Sequence, residues 1–169
     1  MLVVLSDTHS TDAPKLRGRT REAVEKATLV VHAGDFYSEA VLDAFERVAD
    51  GLRAVYGNND DAAIRDRLPE VRTVEHGGVR LAVTHRHRSG DTGLVMLARE
   101  RDADAVICGH SHRPRVDDSG ELPIVNPGSH AQPRGNRPAH AELEAVDGGL
   151  DGRLVTPDGE VFERFRLER

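Results

Sequence analysis

Cysteine occurs once, at Cys108, so no intrachain disulfide can form and the fold must rest on its core. The residue closes the apolar run Ala105-Val106-Ile107-Cys108, where a buried structural thiol is expected. No apolar stretch approaches the roughly 20 residues of a membrane helix. Met1 to Leu5 is too short for a signal peptide and lacks its basic start. A cytoplasmic protein with no membrane partner is therefore expected. Lysine is scarce: Lys15 and Lys26 are the only two, and the other basic residues are arginines. The net charge is −6, which argues against nucleic acid as a bulk binding partner. A small phosphate ester stays open, because metal ions can balance its charge. Long linkers, repeats and low-complexity segments are also missing. With 169 residues, 38% of them hydrophobic, one domain over residues 1–169 is expected to bury its own core.

What is present is an alternation of short apolar runs and helix-period segments. Leu2 to Leu5, Thr28 to Val31 and Arg53 to Tyr56 read as strands, separated by helical spacing over Leu16 to Ala27 and Glu39 to Ala49. A short helix follows near Ala62 to Arg67. Val71 to Glu75 and Val79 to Thr84 flank Gly77-Gly78 and read as a hairpin. Thr92 to Arg101 is helical, and Ala105 to Cys108 is another buried strand. Arg115 to Val125 then reads as strand, turn at Asp118-Ser119-Gly120, strand. From Ala139 onward, strand-like runs are broken at Gly148-Gly149 and Asp158-Gly159. The order predicts an α/β first part and a mostly antiparallel last third.

Polar residues gather just after the apolar strands. They are Ser6-Asp7-Thr8-His9, His32-Ala33-Gly34-Asp35, Gly57-Asn58-Asn59-Asp60, His85-Arg86-His87 and Gly109-His110-Ser111-His112. Ligands of open α/β sheets bind outside the carboxyl ends of strands, so five clusters would converge on one edge. Asp-x-His and His-x-His in extended backbone would each offer two side chains to one side. Imidazole and carboxylate suit first-row metals, and Asn adds a neutral oxygen. The glycines before Asp35, Asn58 and His110 would let the chain turn sharply. Taken singly, each cluster has an ordinary reading as a turn, a helix cap or a surface pair. Five in order, each at a strand end, point to a metal site.

At these residues the chain resembles the calcineurin-like metallophosphoesterase superfamily. The motifs are Asp7-Thr8-His9, Gly34-Asp35, Gly57-Asn58-Asn59-Asp60, His85 and Gly109-His110-Ser111-His112. Asn126-Pro127-Gly128-Ser129 resembles a turn of the family's small single-domain phosphodiesterase branch, which is related to a retromer scaffold subunit. The resemblance implies a four-layer α/β/β/α sandwich, two mostly mixed β-sheets flanked by helices. It implies two divalent metal ions, manganese first, with nickel, cobalt, iron or zinc as alternatives. Asp7, His9 and His112 would hold one ion, Asn58, His85 and His110 the other, and Asp35 would bridge. Water activated between the ions would attack the phosphorus of a phosphate-ester substrate.

Two departures bear on function. The family's common pattern has His after the ligand Asn, where it serves as general acid; here Asn59 stands there and cannot act as an acid. That favours a phosphodiesterase over a phosphomonoesterase, and leaves proton supply to His87, to water or to nothing. Asp60 is expected to orient a nearby histidine. Arg86 stands where the branch has Gly between two histidines, so His85 and His87 compete for the ligand role. Arg134 and Arg137 could touch a phosphate, although a solvated surface role is the better reading. His32 is expected to pack or support rather than ligate, and His76, His130 and His140 have no motif support. The non-enzymatic alternative is a metal-binding interaction scaffold. An oligomer is compatible with the sequence.

Overall fold

In the computed structural model, which describes residues 1–169, the chain starts in the middle of a sheet. Strand β1 (Leu2–Leu5) runs parallel to β2 (Leu29–His32), and β2 parallel to β3 (Leu52–Ala54). Helices α1 (Gly18–Lys26) and α2 (Glu39–Val48) make the crossovers. After α3 (Ala62–Arg67) the chain enters a second sheet through the hairpin β4 (Val71–His76) and β5 (Val79–Thr84). Helix α4 (Gly90–Glu100) leads to β6 (Ala105–Ile107), parallel to β5. Strand β7 (Arg115–Asp117) pairs antiparallel with β8 (Ile124–Asn126), which lies parallel to β6. The chain then returns to the first sheet as β9 (His140–Val146), β10 (Gly149–Val155) and β11 (Val161–Glu168). The sheet orders are β11-β10-β9-β1-β2-β3 and β4-β5-β6-β8-β7.

The period of two along the strands explains the layering. In β1, Leu2 and Val4 face the second sheet, where they pack with Leu81, Val83 and Ile107. Their neighbours Val3 and Leu5 face the other way, onto Val24 of α1 and Leu42 and Phe45 of α2. On the far side, Ala82 and Val106 pack under Leu94 and Ala98 of α4. The result is the expected α/β/β/α sandwich, with a core between the sheets and one under each helical layer. Each fully buried Leu or Val in these layers contributes about 1.5–3 kcal/mol. Helix α2 is set up by its ends as well: Glu39 lies in its first turn and Arg47 in its last, both favourable to the helix dipole. In α3, Asp61 caps the helix by accepting from the amide of Ile64 at 3.0 Å.

The boundaries differ from the expected ones in two informative places. Strand β3 ends at Ala54 rather than Tyr56, because the chain leaves the sheet there toward Asn58. Even so, Val55 N–H still donates to His32 at 3.1 Å. The turn between β7 and β8 runs through residues 118–123, longer than Asp118-Ser119-Gly120, and Asp117 Oδ1 holds its start by accepting from Ser119 N–H at 3.1 Å. No helix is long and apolar enough to cross a membrane.

Candidate functional site

The loops that leave β1, β2, β3, β5 and β6 meet at the carboxyl ends of the two parallel strand sets, where the polar clusters were expected to converge. Backbone pairing continues past the strand ends and aligns them. Asp7 N–H donates to Gly34 O and His9 N–H to Asp35 O, both at 3.0 Å, and Gly109 N–H donates to His85 O at 3.0 Å.

Two groups of ligand-type atoms form there. One is Asp7, His9 and His112; the other is Asp35, His85 and His110. His9 Nε2 lies 3.1 Å from His112 Nε2, and His112 Nε2 lies 3.4 Å from Asp7 Oδ1. Asp35 Oδ2 is 3.3 Å from His9 Nε2 and 3.2 Å from His85 Nε2, so one oxygen faces both groups. Atoms bound about 2.0–2.2 Å from a common ion stand about 3–3.5 Å apart, and these gaps match. Asp7 Oδ1 and His85 Nε2 are buried without a hydrogen-bond partner, which is costly unless a cation completes them.

The tautomers of two of the histidines agree. His85 Nδ1 donates to Ala33 O at 2.7 Å, and His112 Nδ1 donates to Gln132 O. Each bond puts the ring proton on Nδ1 and leaves the Nε2 lone pair facing the cluster, the arrangement of metal-ligating histidines. His85 therefore enters the cluster. His87 does not: it is exposed, its Nδ1 accepts from Ser89 N–H at 3.2 Å, and its ring lies against the backbone of Gly93 in α4. It lines an adjoining cleft with His110. Asn58 is exposed and lines a second cleft, of about 310 Å3, with His85.

The backbone reaches this geometry by a route other than extended alternation. Asp7, His9, Asp35, His110 and His112 have φ of 56°, 43°, 62°, 72° and 57°. Five ligand-type residues thus sit in the left-handed region, which costs non-glycine residues energy and is tolerated at functional sites. The glycines before Asn58 and His110 serve close approach. A Cβ on Gly57 would stand 2.1 Å from Asp35 Oδ1, and one on Gly109 would stand 1.9 Å from Ser6 Oγ and 2.9 Å from Asp7 Oδ2.

Supporting bonds fix the loops. Asp60 accepts from the amides of Asp35 (3.0 Å), Tyr37 (2.8 Å) and Gly57 (2.7 Å), rather than orienting a histidine. Burial pushes its carboxyl above the usual range, against the pull of those amides. Burial also opposes ionisation of Asp35, but His85 and the two donors of Asn59 outweigh it and hold that carboxyl well below the usual range. Burial disfavours charge on His85, yet the carboxylates of Asp35 and Asp7 win and raise its proton affinity. A cation between them would take the place of that proton. Burial lowers His110, as do the charges of His85 and Arg86.

The Asn126-Pro127-Gly128-Ser129 turn holds the His110–His112 loop. Asn126 Nδ2 donates to Gly109 O at 2.8 Å, and Ser129 Oγ donates to Asp7 O at 2.7 Å. His32 packs as expected: it is buried, stacks on Phe36 at 3.7 Å, and its Nε2 lies 2.9 Å from Thr8 Oγ1. Arg137 pairs with Glu160 at 3.5 Å and lies over Phe162. Cys108 is buried, and that burial pushes its thiol up to about 12.

Away from the loops lies a buried ionic group with no sequence signal. Glu142 accepts from Arg19 Nε and Nη2, both at 2.7 Å, from Arg153 Nη2 at 2.6 Å and from His140 Nε2 at 3.0 Å. Its members come together only because β9 lies beside β10 and under α1.

Two sheets with ligand-bearing loops at one edge define a metallophosphoesterase-type site. Residues 1–149 match the calcineurin-like phosphoesterase superfamily domain, and the chain belongs to that family, which is metal-dependent. Strands β10 and β11 lie almost wholly beyond the match, yet complete the first sheet. The chain is 30% identical over 175 residues to a "Probable metallophosphoesterase" of Methanothermobacter thermautotrophicus, covering 100% of this chain and 99% of that one. It is 28% identical over 141 residues to a phosphodiesterase of Methanocaldococcus jannaschii, covering 74% and 81%. Among solved structures, a predicted phosphoesterase from Streptococcus pneumoniae aligns with a TM-score of 0.74 at 28% identity, over 99% and 97% of the chains. Vacuolar Protein Sorting 29 of Cryptosporidium parvum aligns with a TM-score of 0.82 at 18% identity, over 99% and 97%, a likeness of fold alone.

Proposed function

We propose that residues 1–169 act as one domain that hydrolyses phosphate diesters at a two-metal centre. The observation that carries this is Asp35 Oδ2, which faces His9 and His85 at 3.3 and 3.2 Å and so joins its own ligand group to that of Asp7, His9 and His112. Asp7, His9 and His112 would hold one ion, and His85, His110 and Asn58 the other, with Asp35 shared. Bound there, two divalent ions supply a water of lowered pKa and neutralise charge on the phosphoryl oxygens. Manganese leads the candidates, followed by nickel, cobalt, iron and zinc.

The chain's own residues set the geometry. Asn59 holds both oxygens of Asp35 in place. As an amide it has no proton to give the departing oxygen, which favours diesters with good leaving groups over alkyl monoesters. His87, on the rim of the cleft beside His110, is the side chain we assign to the leaving-group oxygen, which it would reach through a water while the retained arm fills that cleft, and Asp60 keeps the Asp35 and Gly57 loops together.

The test is hydrolysis of bis(4-nitrophenyl) phosphate against 4-nitrophenyl phosphate with Mn, Ni, Co and Zn, using Asp35→Asn as control. Faster diester turnover that the control abolishes supports the proposal; monoester preference overturns it. The likeness to Vacuolar Protein Sorting 29 favours a second reading, a scaffold. Inactivity with every metal, in protein that still folds, would select it.

A further inference from the structure

We infer that the cleft beside His110 is a subsite for a second anionic group of phosphate type, carried on one ester arm of the substrate. This rests on the diesterase reading above. Two clefts adjoin the centre and share His85 and Arg86: one of about 310 Å3 beside Asn58, the other of about 240 Å3 beside His110. A diester has two arms, and Arg86 stands between the two spaces that would take them.

The cleft beside His110 is rich in donors that lack partners. Three arginines line it, Arg86, Arg113 and Arg115, against a single carboxylate, Asp91. Asp91 is already taken by Arg115 through a two-pronged pair at 2.8 and 3.0 Å. Arg86 and Arg113 are exposed and form no ion pair, in a chain of net charge −6. Arg67, by contrast, holds Glu39, Asp43 and Glu46. Ser111 adds a third free donor. Its oxygen accepts from Asn126 Nδ2 at 3.1 Å and from Arg113 N–H at 3.3 Å, which leaves the hydroxyl proton to donate. Two guanidinium groups and a hydroxyl with no acceptor of their own are matched to the oxygens of a phosphate dianion. A neutral arm would leave those charges with solvent alone.

The test uses two esters that differ by one group: thymidine 5′-(4-nitrophenyl phosphate) and the same ester with a 3′-phosphate. In both, water adds to the 5′ phosphorus and the bond to 4-nitrophenolate breaks, so turnover is read as released nitrophenolate. The 3′-phosphate is expected to raise kcat/KM about tenfold or more, and 0.5 M salt to shrink that preference. The Arg86→Ala/Arg113→Ala double variant should lose it, the double Lys variant should recover part of it, and Arg101→Ala, on the turn after α4, should keep it. Equal kcat/KM for the two esters, or a preference that survives in the double Ala variant, overturns the subsite. Calorimetry with the products, thymidine 3′,5′-bisphosphate against thymidine 5′-phosphate, should show the same tenfold difference in wild type and none in the double variant. If wild type hydrolyses neither ester, the diesterase reading falls, and the calorimetric comparison still decides the subsite.

Discussion

Asn59 grips the carboxylate of Asp35 at both oxygens: its backbone amide donates to Oδ1 and its side-chain amide to Oδ2, each at 2.8 Å. Asp35 is thus held by the residue that stands where a general acid was looked for. Asn59→Leu keeps the backbone bond and loses the other. Diester kcat/KM should fall about 10–100-fold, the usual cost of losing a group that orients a metal ligand. Asn59→His should also lose activity rather than gain on poor leaving groups, because it gives up the same bond. Unchanged kinetics in both variants would show that Asp35 needs no second hand.

Asp60 ties three loop amides to one buried carboxylate. Asp60→Ala leaves those donors without an acceptor, at a cost of about 2–4 kcal/mol. The urea midpoint should drop accordingly, and the variant should retain less metal after dialysis. A midpoint within experimental error of wild type would count against this role.

His85 and His87 separate by metal content. His85→Ala should bind close to one ion per chain where wild type is expected to bind two, because His85 Nε2 faces Asp35 and Asp7. His87→Ala should keep both ions, since its ring rests on Gly93. Elemental analysis of the two variants reads this directly, and the opposite pattern would reassign the ligand.

Glu142 predicts how stability depends on pH. Its burial opposes charge, but His140, Arg19 and Arg153 more than offset that and hold its carboxyl well below the usual range. An unfolded Glu titrates near 4.3. The unfolded chain therefore takes up this proton first as pH falls. The stabilisation is full above about pH 5 and is lost progressively below it. Glu142→Gln should destabilise by about 2–4 kcal/mol at pH 7, toward the low end because both arginines are partly solvated. The gap to wild type should narrow by pH 3. A gap independent of pH would mean that the charge is not what holds the group together.

How far the sequence can be read follows from the kind of signal each residue leaves. Leu2 to Leu5 and Ala105 to Ile107 are short apolar runs bounded by polar clusters, so strands, sheet ends and the converging loops were legible. His85 and His87 leave the same signal, two residues apart. The choice between them lies in Ala33 O and Gly93, contacts made 52 residues upstream and in a helix that follows. The left-handed backbone at Asp7 and His110 was hidden because even Asp and His, which enter that region more often than most residues, do so only in a minority of places, and extended alternation brought the same side chains together by a different path. Glu142 was invisible altogether: its partner Arg19 is 123 residues away and belongs to no motif.

Strand β1, which carries Asp7 and His9 at its end, is flanked on one side by β2 and on the other by β9, with Leu2 opposite Leu143. On the ribosome β1 is made well before its second neighbour, β9. Until then β1 presents an open edge of buried-type residues, available to any other strand nearby. Slow, late closure is the kinetic consequence of such distant pairing. Asp7 and His9 of the candidate metal centre are thus synthesised long before the sheet that holds them is complete.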